Sequence, residues 1–475
     1  LPRHGAGDTI LRWIADPPRR GVSHPFVNPD RRVAAPWPPP IDLPMQTRSL
    51  PIAACGRCSP RPHIATIRLA IAVAIVGCAF GAAAAAPPRP LLLAHVMPWF
   101  EADPAGRTWG WHWTMGKFDP ATVVDGRPAI ASKLQPAAGI YDSADPHVVE
   151  HQLLLMKLSG IDGVIVDWYG RAELWDHARN HRCTQLLVER AGELGMKVAI
   201  CYEDKTLADL VKEGRIKRED RVSHAAAEIA WLAEHWFPLD HYVRLEGRPV
   251  LLSFGHEGLS DDEWSRVLTQ SPRPPAYFSE HRRRPTAVGG FDWPVPQEGL
   301  AAQQRFATES RGWPSRIPVA FPRFLDIYAE AGVHPSWGRI DDDGGRTFAR
   351  TLELALAMKP PIVQIATWND WGEGTVIEPS VEFGTRDLEL LQRARRRLTP
   401  GFAAKKEHLA LPGRLLALRR STHDKGGQTR LDAVGRRLAD LKLAAAAAEL
   451  DQIAAESAAP AQYTPQGSNL QPSVP

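Results

Sequence analysis

Alternating strand-like and helix-like stretches between residues 88 and 400 predict a (β/α)₈ barrel, flanked by an N-terminal leader and a helical C-terminal extension. Two observations carry the prediction. Eight short β-branched or apolar runs recur over this region with helical stretches between them, and most end in a polar or aromatic residue. No Gly-x-Gly-x-x-Gly follows the first run, which removes the main support for an open doubly wound sheet.

The runs are Leu91–Met97, Gly163–Asp167, Val198–Glu203, Val250–Phe254, Ala276–Glu280, Gly289–Trp293, Ile317–Phe321 and Ile362–Thr367. The helix after the first run has a legible start. Asp145 offers a capping carboxylate and Pro146 suits the first helical position, since it lacks the N–H that would go unpaired there. Leu153, Met156 and Leu158 give it an inward face, and Gly160 ends it.

Residues 1–60 are rich in Pro and Arg without periodicity and read as disordered or as upstream of the true start, for which Met45 is the candidate. Residues 61–86 read as a signal peptide. Arg61 and Arg68 supply positive charge, Leu69 to Val76 a short apolar run, and Ala82 to Ala86 small residues for cleavage. An exported protein, periplasmic or extracellular, is expected. Ile75-Val76-Gly77-Cys78 also matches a bacterial lipobox, so membrane attachment would follow only from lipidation of Cys78. Residues 401–475 form the C-terminal extension, with a helix expected over Leu431 to Ile453 and a disordered tail from Ala459 to Pro475.

Net charge is +3 and no basic aromatic stripe is present, so nothing calls for nucleic acid as a partner. Five cysteines are too few and too scattered for a disulfide framework, and Cys55-Gly56-Arg57-Cys58 stands alone. Pairing of Cys183 with Cys201 is not readable from sequence. His147-Val148-Val149-Glu150-His151 matches an inverted zinc-protease pattern but opens a helix straight after the Asp-Pro cap. Asp341-Asp342-Asp343 lacks the further ligands of a calcium loop. The expectation is therefore no metal and no cofactor.

In a parallel barrel, functional groups sit at the carboxyl ends of the strands. Here those ends carry acids interleaved with aromatics: Trp99, Asp167-Trp168-Tyr169, Glu203, Glu280, Asp292-Trp293, and Trp368-Asn369-Asp370-Trp371-Gly372-Glu373. Sixteen Trp against seven Tyr suit a cleft that stacks the apolar faces of sugars. Glycosidic cleavage needs one carboxyl group to protonate the departing oxygen and a second to assist across the ring. Asp370 and Glu373, three apart beyond a strand, meet that need. Alternatively Asp370 caps a following helix and Glu373 completes a capping box.

From about Leu91 to Leu391 the chain resembles glycoside hydrolase family 99 and its broader family 71/99-like relatives, the endo-α-mannosidase-like barrels. The residues that carry the resemblance are Trp109-Gly110-Trp111-His112-Trp113, Tyr141 with Asp145-Pro146, Gly160 to Val164 with Asp167-Trp168-Tyr169, and Tyr202-Glu203. The most specific is Trp368-Asn369-Asp370-Trp371-Gly372-Glu373-Gly374-Thr375 with Ile377-Glu378-Pro379, similar to the family's Asn-Glu-Trp-x-Glu-Gly-Thr box. The resemblance implies a retaining endo-glycosidase without a protein nucleophile. Glu373 maps onto the general acid, and Asp370 onto the base that takes the proton of the sugar's own 2-hydroxyl. Asp370 departs from the family, being one methylene shorter than the usual Glu. Glu203, His112, Trp113, Trp99, Asp167, Trp168, Tyr169, Asn369 and Trp371 are the expected substrate contacts, and a polysaccharide or glycan is the expected partner. The alternatives are a carbohydrate-binding barrel without catalysis and a glycosyltransferase-like polysaccharide biosynthesis protein. Export argues against the latter, because activated sugar donors are cytoplasmic.

Overall fold

The computed structural model describes residues 89–458, apart from 104 and 106. The expected leader, Met45, Cys55, Cys58, Cys78 and the tail from Ala459 to Pro475 lie outside the described residues.

The eight runs form the barrel. Its strands are β1 (Leu91–Val96), β2 (Gly163–Trp168), β3 (Lys197–Tyr202), β4 (Arg248–Ser253), β5 (Ala276–Glu280), β6 (Gly289–Phe291), β7 in two pieces (Ser315–Ile317 and Val319–Ala320) and β8 (Ile362–Ile365). Neighbours pair in parallel from β1 to β6. The ring closes through β7. Its first piece pairs with β6 and its second with β8, which pairs in turn with β1. Between the pieces stands Pro318, which has no N–H to give the ladder, while its carbonyl accepts from Gln364 N at 2.9 Å.

Alternation along each strand divides the core in two. Leu93, Ile165, Ala199, Leu252, Phe278, Phe291, Ile317 and Ile362 point inward and fill the ring. Their neighbours Leu92, Val164, Val198, Leu251, Tyr277 and Val363 point outward, against Leu153, Leu187, Ile229, Trp264, Leu352 and Leu391 of the surrounding helices. The same alternation decides which residues at the strand ends can reach a ligand.

Helix α1 (Pro146–Ser159) starts and stops where the sequence indicates. Asp145 accepts the N–H of His147 at 2.8 Å, and Gly160 closes the helix at φ 90°. A Cβ on Gly160 would meet the Arg395 side chain at 2.6 Å, so the site is closed to larger residues on two grounds.

The C-terminal extension differs from its single expected helix. After α2 (Leu411–Ser421), two helices, α3 (Lys425–Ala439) and α4 (Leu443–Ala458), are separated at Leu441, whose φ is 58°. Their apolar stripes join the outer layer of the barrel: Leu415, Leu431, Val434, Leu438, Leu450 and Ile453 share one cluster with the α1 face. Arg419 of α2 grips Glu150 of α1 with two bonds of 2.6 and 2.9 Å. That commits the glutamate of the His-x-x-Glu-His pattern to an ion pair. Asp342 is likewise held by Arg323 and Arg386. Among the described residues no helix is long and apolar enough to cross a membrane.

Because Leu431 is fully buried in the shared layer, Leu431→Ala should cost roughly 2–5 kcal/mol within a single unfolding transition. Thermal unfolding followed by far-ultraviolet circular dichroism checks this. An added early transition that leaves the main one unmoved would show the extension to be separate from the barrel.

Candidate active site

The box after β8 does not open a helix. Trp371 to Gly374 form a turn, and the next long helix begins only at Arg386. Asp370 makes this turn close: its Oδ1 accepts the Glu373 N–H at 3.0 Å and its carbonyl accepts the Gly374 N–H at 3.0 Å. The Thr367 hydroxyl accepts the Asp370 N–H at 2.8 Å. Gly374 sits at φ 66°, and a Cβ there would fall 2.6 Å from the Leu325 carbonyl. The capping alternative is therefore met in part. One Asp370 oxygen serves the backbone, but of a turn and not of a helix.

Behind the turn lies a buried polar network centred on Tyr141. Its hydroxyl donates to Glu378 Oε2 at 2.8 Å and accepts from Asn369 Nδ2 at 3.1 Å and Trp371 Nε1 at 3.0 Å. Gln152 of α1 donates to the other Glu378 oxygen at 2.9 Å. Asn369 also clasps the end of β1, accepting from Met97 N at 2.8 Å and donating to Met97 O at 3.0 Å. Asn369 and Trp371 are thus occupied in holding the box, and Trp371 is fully buried. They are corrected from substrate contacts to positioning residues.

Of two other expected contacts, Trp168 faces outward and Trp113 is enclosed in the inner core. Trp168 follows the inward Asp167 and so must point outward, where it packs on Trp231 and Trp236 and donates to His181 at 3.2 Å. Trp113 is fully buried, with its indole N–H on the Tyr141 carbonyl at 2.9 Å. Sequence position marks both as near the rim but does not reveal their facing. Trp99 and His112 do lie together, stacked with centroids 4.2 Å apart. His112 Nε2 is 3.2 Å from Asp176. The Trp99 indole N–H has no protein partner.

The inward acids converge. Burial pushes the Asp370 carboxyl up to about 7, against the pull of the Glu373 and Gly372 N–H groups. Burial, then the charges of Asp370, Asp326 and Glu280, hold Glu373 well above the carboxylate range. Its Oε2 is buried and accepts no bond, while Tyr328 hydrogen-bonds the carboxyl group. Asp167, with a carboxyl also pushed well up by burial and by Glu203, shares a hydrogen bond with Glu203. Burial raises Glu203 to about 7 despite the nearby Lys205 cation. The phenol of Tyr169 feels Glu203, Asp167 and Asp370, which with burial raise it.

Sequence reasoning missed Asp326 and Tyr328, and it gave Tyr141 a place in the family resemblance but no role in the site. Asp326 and Tyr328 lie on the long loop after β7, inside a hairpin of Phe324–Leu325 with Arg339–Ile340. That loop docks on the box through Leu325 N to Glu373 O at 2.8 Å and Ile327 N to Gly372 O at 3.0 Å. Neither residue follows a barrel strand directly, so no periodic signal marks them.

No family model matches the chain. Its sequence is 21% identical over 286 residues to a glycoprotein endo-alpha-1,2-mannosidase-like protein of Danio rerio, covering 53% of this chain and 60% of that protein. It is 19% identical to a glycoprotein endo-alpha-1,2-mannosidase of Xenopus laevis, covering 55% and 61%. The chain therefore spans about three fifths of the length of these curated relatives. Among solved structures, a GH99 endo-alpha-mannosidase from Bacteroides thetaiotaomicron matches with a TM-score of 0.50 and 16% identity, over 66% of this chain and 98% of that one. This likeness bears out the barrel, and the sequence matches bear out the resemblance read from the motifs.

The raised acids give stability a definite sign with pH. A carboxyl group whose folded pKa exceeds its unfolded one binds more protons in the native state, so stability falls as pH rises from the unfolded value through the folded one. For Asp370 that window runs from about 4 to about 7. Glu373→Gln removes another such group and should raise the melting temperature at pH 8 relative to the parent, with little change at pH 4. Melting curves across that range test it. A variant less stable at pH 8 would contradict the raised Glu373.

Proposed function

We propose that this barrel is a glycoside hydrolase cleaving α-linked, mannose-containing glycans, with Glu373 as general acid and Asp370 as general base. The observation that carries the reading is the state of Glu373. A buried carboxyl group whose pKa is raised by burial and by the neighbouring Asp370, with one oxygen unbonded, suits protonation of a departing glycosidic oxygen. The similarity to endo-alpha-mannosidases supports mannose as the sugar.

In the proposed course, Glu373 gives its proton to the leaving oxygen. Asp370 draws the proton from the 2-hydroxyl, whose oxygen closes on the anomeric carbon to give a 1,2-anhydro sugar. Water then opens that ring, losing its proton to Glu373 while the protonated Asp370 returns one to O2, so configuration is retained. Asp370 has one oxygen committed to the turn, which leaves the other for the sugar. Asp167 and Glu203, sharing a hydrogen bond on the facing strands, are proposed to hold sugar hydroxyls. The enzyme is further proposed to be exported, on the strength of the Arg68 to Ala86 leader pattern.

Glu373→Gln keeps shape but has no proton to donate, and should lose roughly 10²–10⁴-fold on a natural glycan. An aryl glycoside departs without protonation, so the same variant should recover most of its rate there. Asp370→Asn can still accept the Glu373 N–H, so the turn survives, yet a base acting on the sugar is lost whatever the leaving group. It should be slow on both substrates. A mild Asp370→Asn phenotype, or a parent inert on every α-mannoside tested, would favour a binding barrel in which Asp370 only closes the turn.

Export predicts a mature amino terminus just after the alanine run, or at a lipidated Cys78. Mass spectrometry of the cellular protein reads it. A terminus that retains residues 1–60 would remove the case for export.

A further inference from the structure

One layer below the acids, three strands bring together residues that the proposed reaction does not use as a set. His95 at the end of β1, Asp167 on β2 and Cys201 on β3 offer a ring nitrogen, a carboxylate oxygen and a thiol, all within 4.8 Å of one another and all buried. We infer that His95, Asp167 and Cys201 form a site for a divalent cation of the zinc type. The sequence reading expected no metal. It missed this one because the three residues are separated by long stretches and meet only through register: Asp167 stands opposite Cys201 on β3, and His95 opposite Ile165 on β2.

The imidazole is already oriented as a ligand. Gln364 donates its amide N–H to the Asp292 carbonyl at 3.1 Å, so its oxygen faces His95 Nδ1 at 3.3 Å and must accept from it. Nδ1 then carries the proton, and Nε2 keeps a lone pair. That Nε2 is buried on a fully enclosed side chain with no protein partner. Cys201 is a free thiol.

Binding would displace the thiol proton and make Cys201 a thiolate ligand. An imidazole, a carboxylate and a thiolate are a nitrogen, oxygen and sulfur set that zinc accepts, with a fourth position open to water. Gln364 would be the outer partner that fixes the histidine, as such partners commonly are.

The test uses the full chain with zinc or cobalt(II) alone. After incubation with zinc and desalting, elemental analysis should find about one zinc per chain. Cobalt(II) should give a thiolate charge-transfer band. Cys201→Ser should abolish the band, and His95→Gln should release the zinc. Gln364→Leu should weaken binding by about 10–100-fold. Cys55→Ser/Cys58→Ser controls for the other cysteine pair and should leave both signals intact. A parent that neither retains zinc nor shows the band overturns the inference. So does zinc that survives Cys201→Ser and disappears with the Cys55/Cys58 double variant. Metal content is read apart from turnover, so failure here leaves the proposed hydrolase standing, and the reverse.

Discussion

The arrangement depends on one phenol. Tyr141, on the segment before α1, has a single hydroxyl that meets Glu378, Asn369 and Trp371. Through Asn369 it fixes the box against the end of β1, and through Glu378 and Gln152 it fixes the box against α1. A phenol that donates one bond and accepts two uses its full hydrogen-bonding capacity. Such a network is stiff because every member is satisfied, and any one loss leaves several buried groups unpaired. Burial, which raises Glu378 to about 7, shows how little water reaches it.

That rigidity lets the other side of the box be electrostatically costly. Burying several carboxyl groups within reach of one another destabilises a fold, and it persists only where surrounding structure over-determines the geometry. The backbone N–H groups of the turn support Asp370, Tyr328 supports Glu373, and Asp167 and Glu203 share a hydrogen bond. The outer helices contribute at a distance: α2 grips α1, and α1 presents Gln152. A C-terminal extension outside the barrel thus bears on the box through two ion-paired and hydrogen-bonded steps.

The strands were legible because each is an apolar run between turn-forming residues, and the first helix because Asp145-Pro146 and Gly160 mark both ends. Asp370 and Glu373 were legible from their motif. Facing was not. Trp168 and Asp167 are adjacent in sequence and on opposite sides of the sheet, and only the register of β2 says which one looks inward. Trp113 and Trp371 read as sugar platforms by residue type, yet their N–H groups are spent on Tyr141. Tyr328 and Asp326 stayed hidden because a long loop carries them. The break at Leu441 was hidden because a left-handed leucine has no compositional signature.

The closure of the ring through a divided seventh strand carries a consequence for how the molecule breathes. The β7 to β8 junction has two register pairs, Val319 with Gln364 and Ala320 with Ile365, where β2 and β3 share six. Local opening follows the weakest cooperative unit, and this junction is the thinnest part of the ring. Directly above it, the loop after β7 is tied to the turn after β8 by Leu325 N to Glu373 O and Ile327 N to Gly372 O. The turn that holds Asp370 and Glu373 is therefore also the clasp of the hoop. A ligand that fastens the clasp tightens the entire circumference, and a hoop that springs at its join parts the acids first.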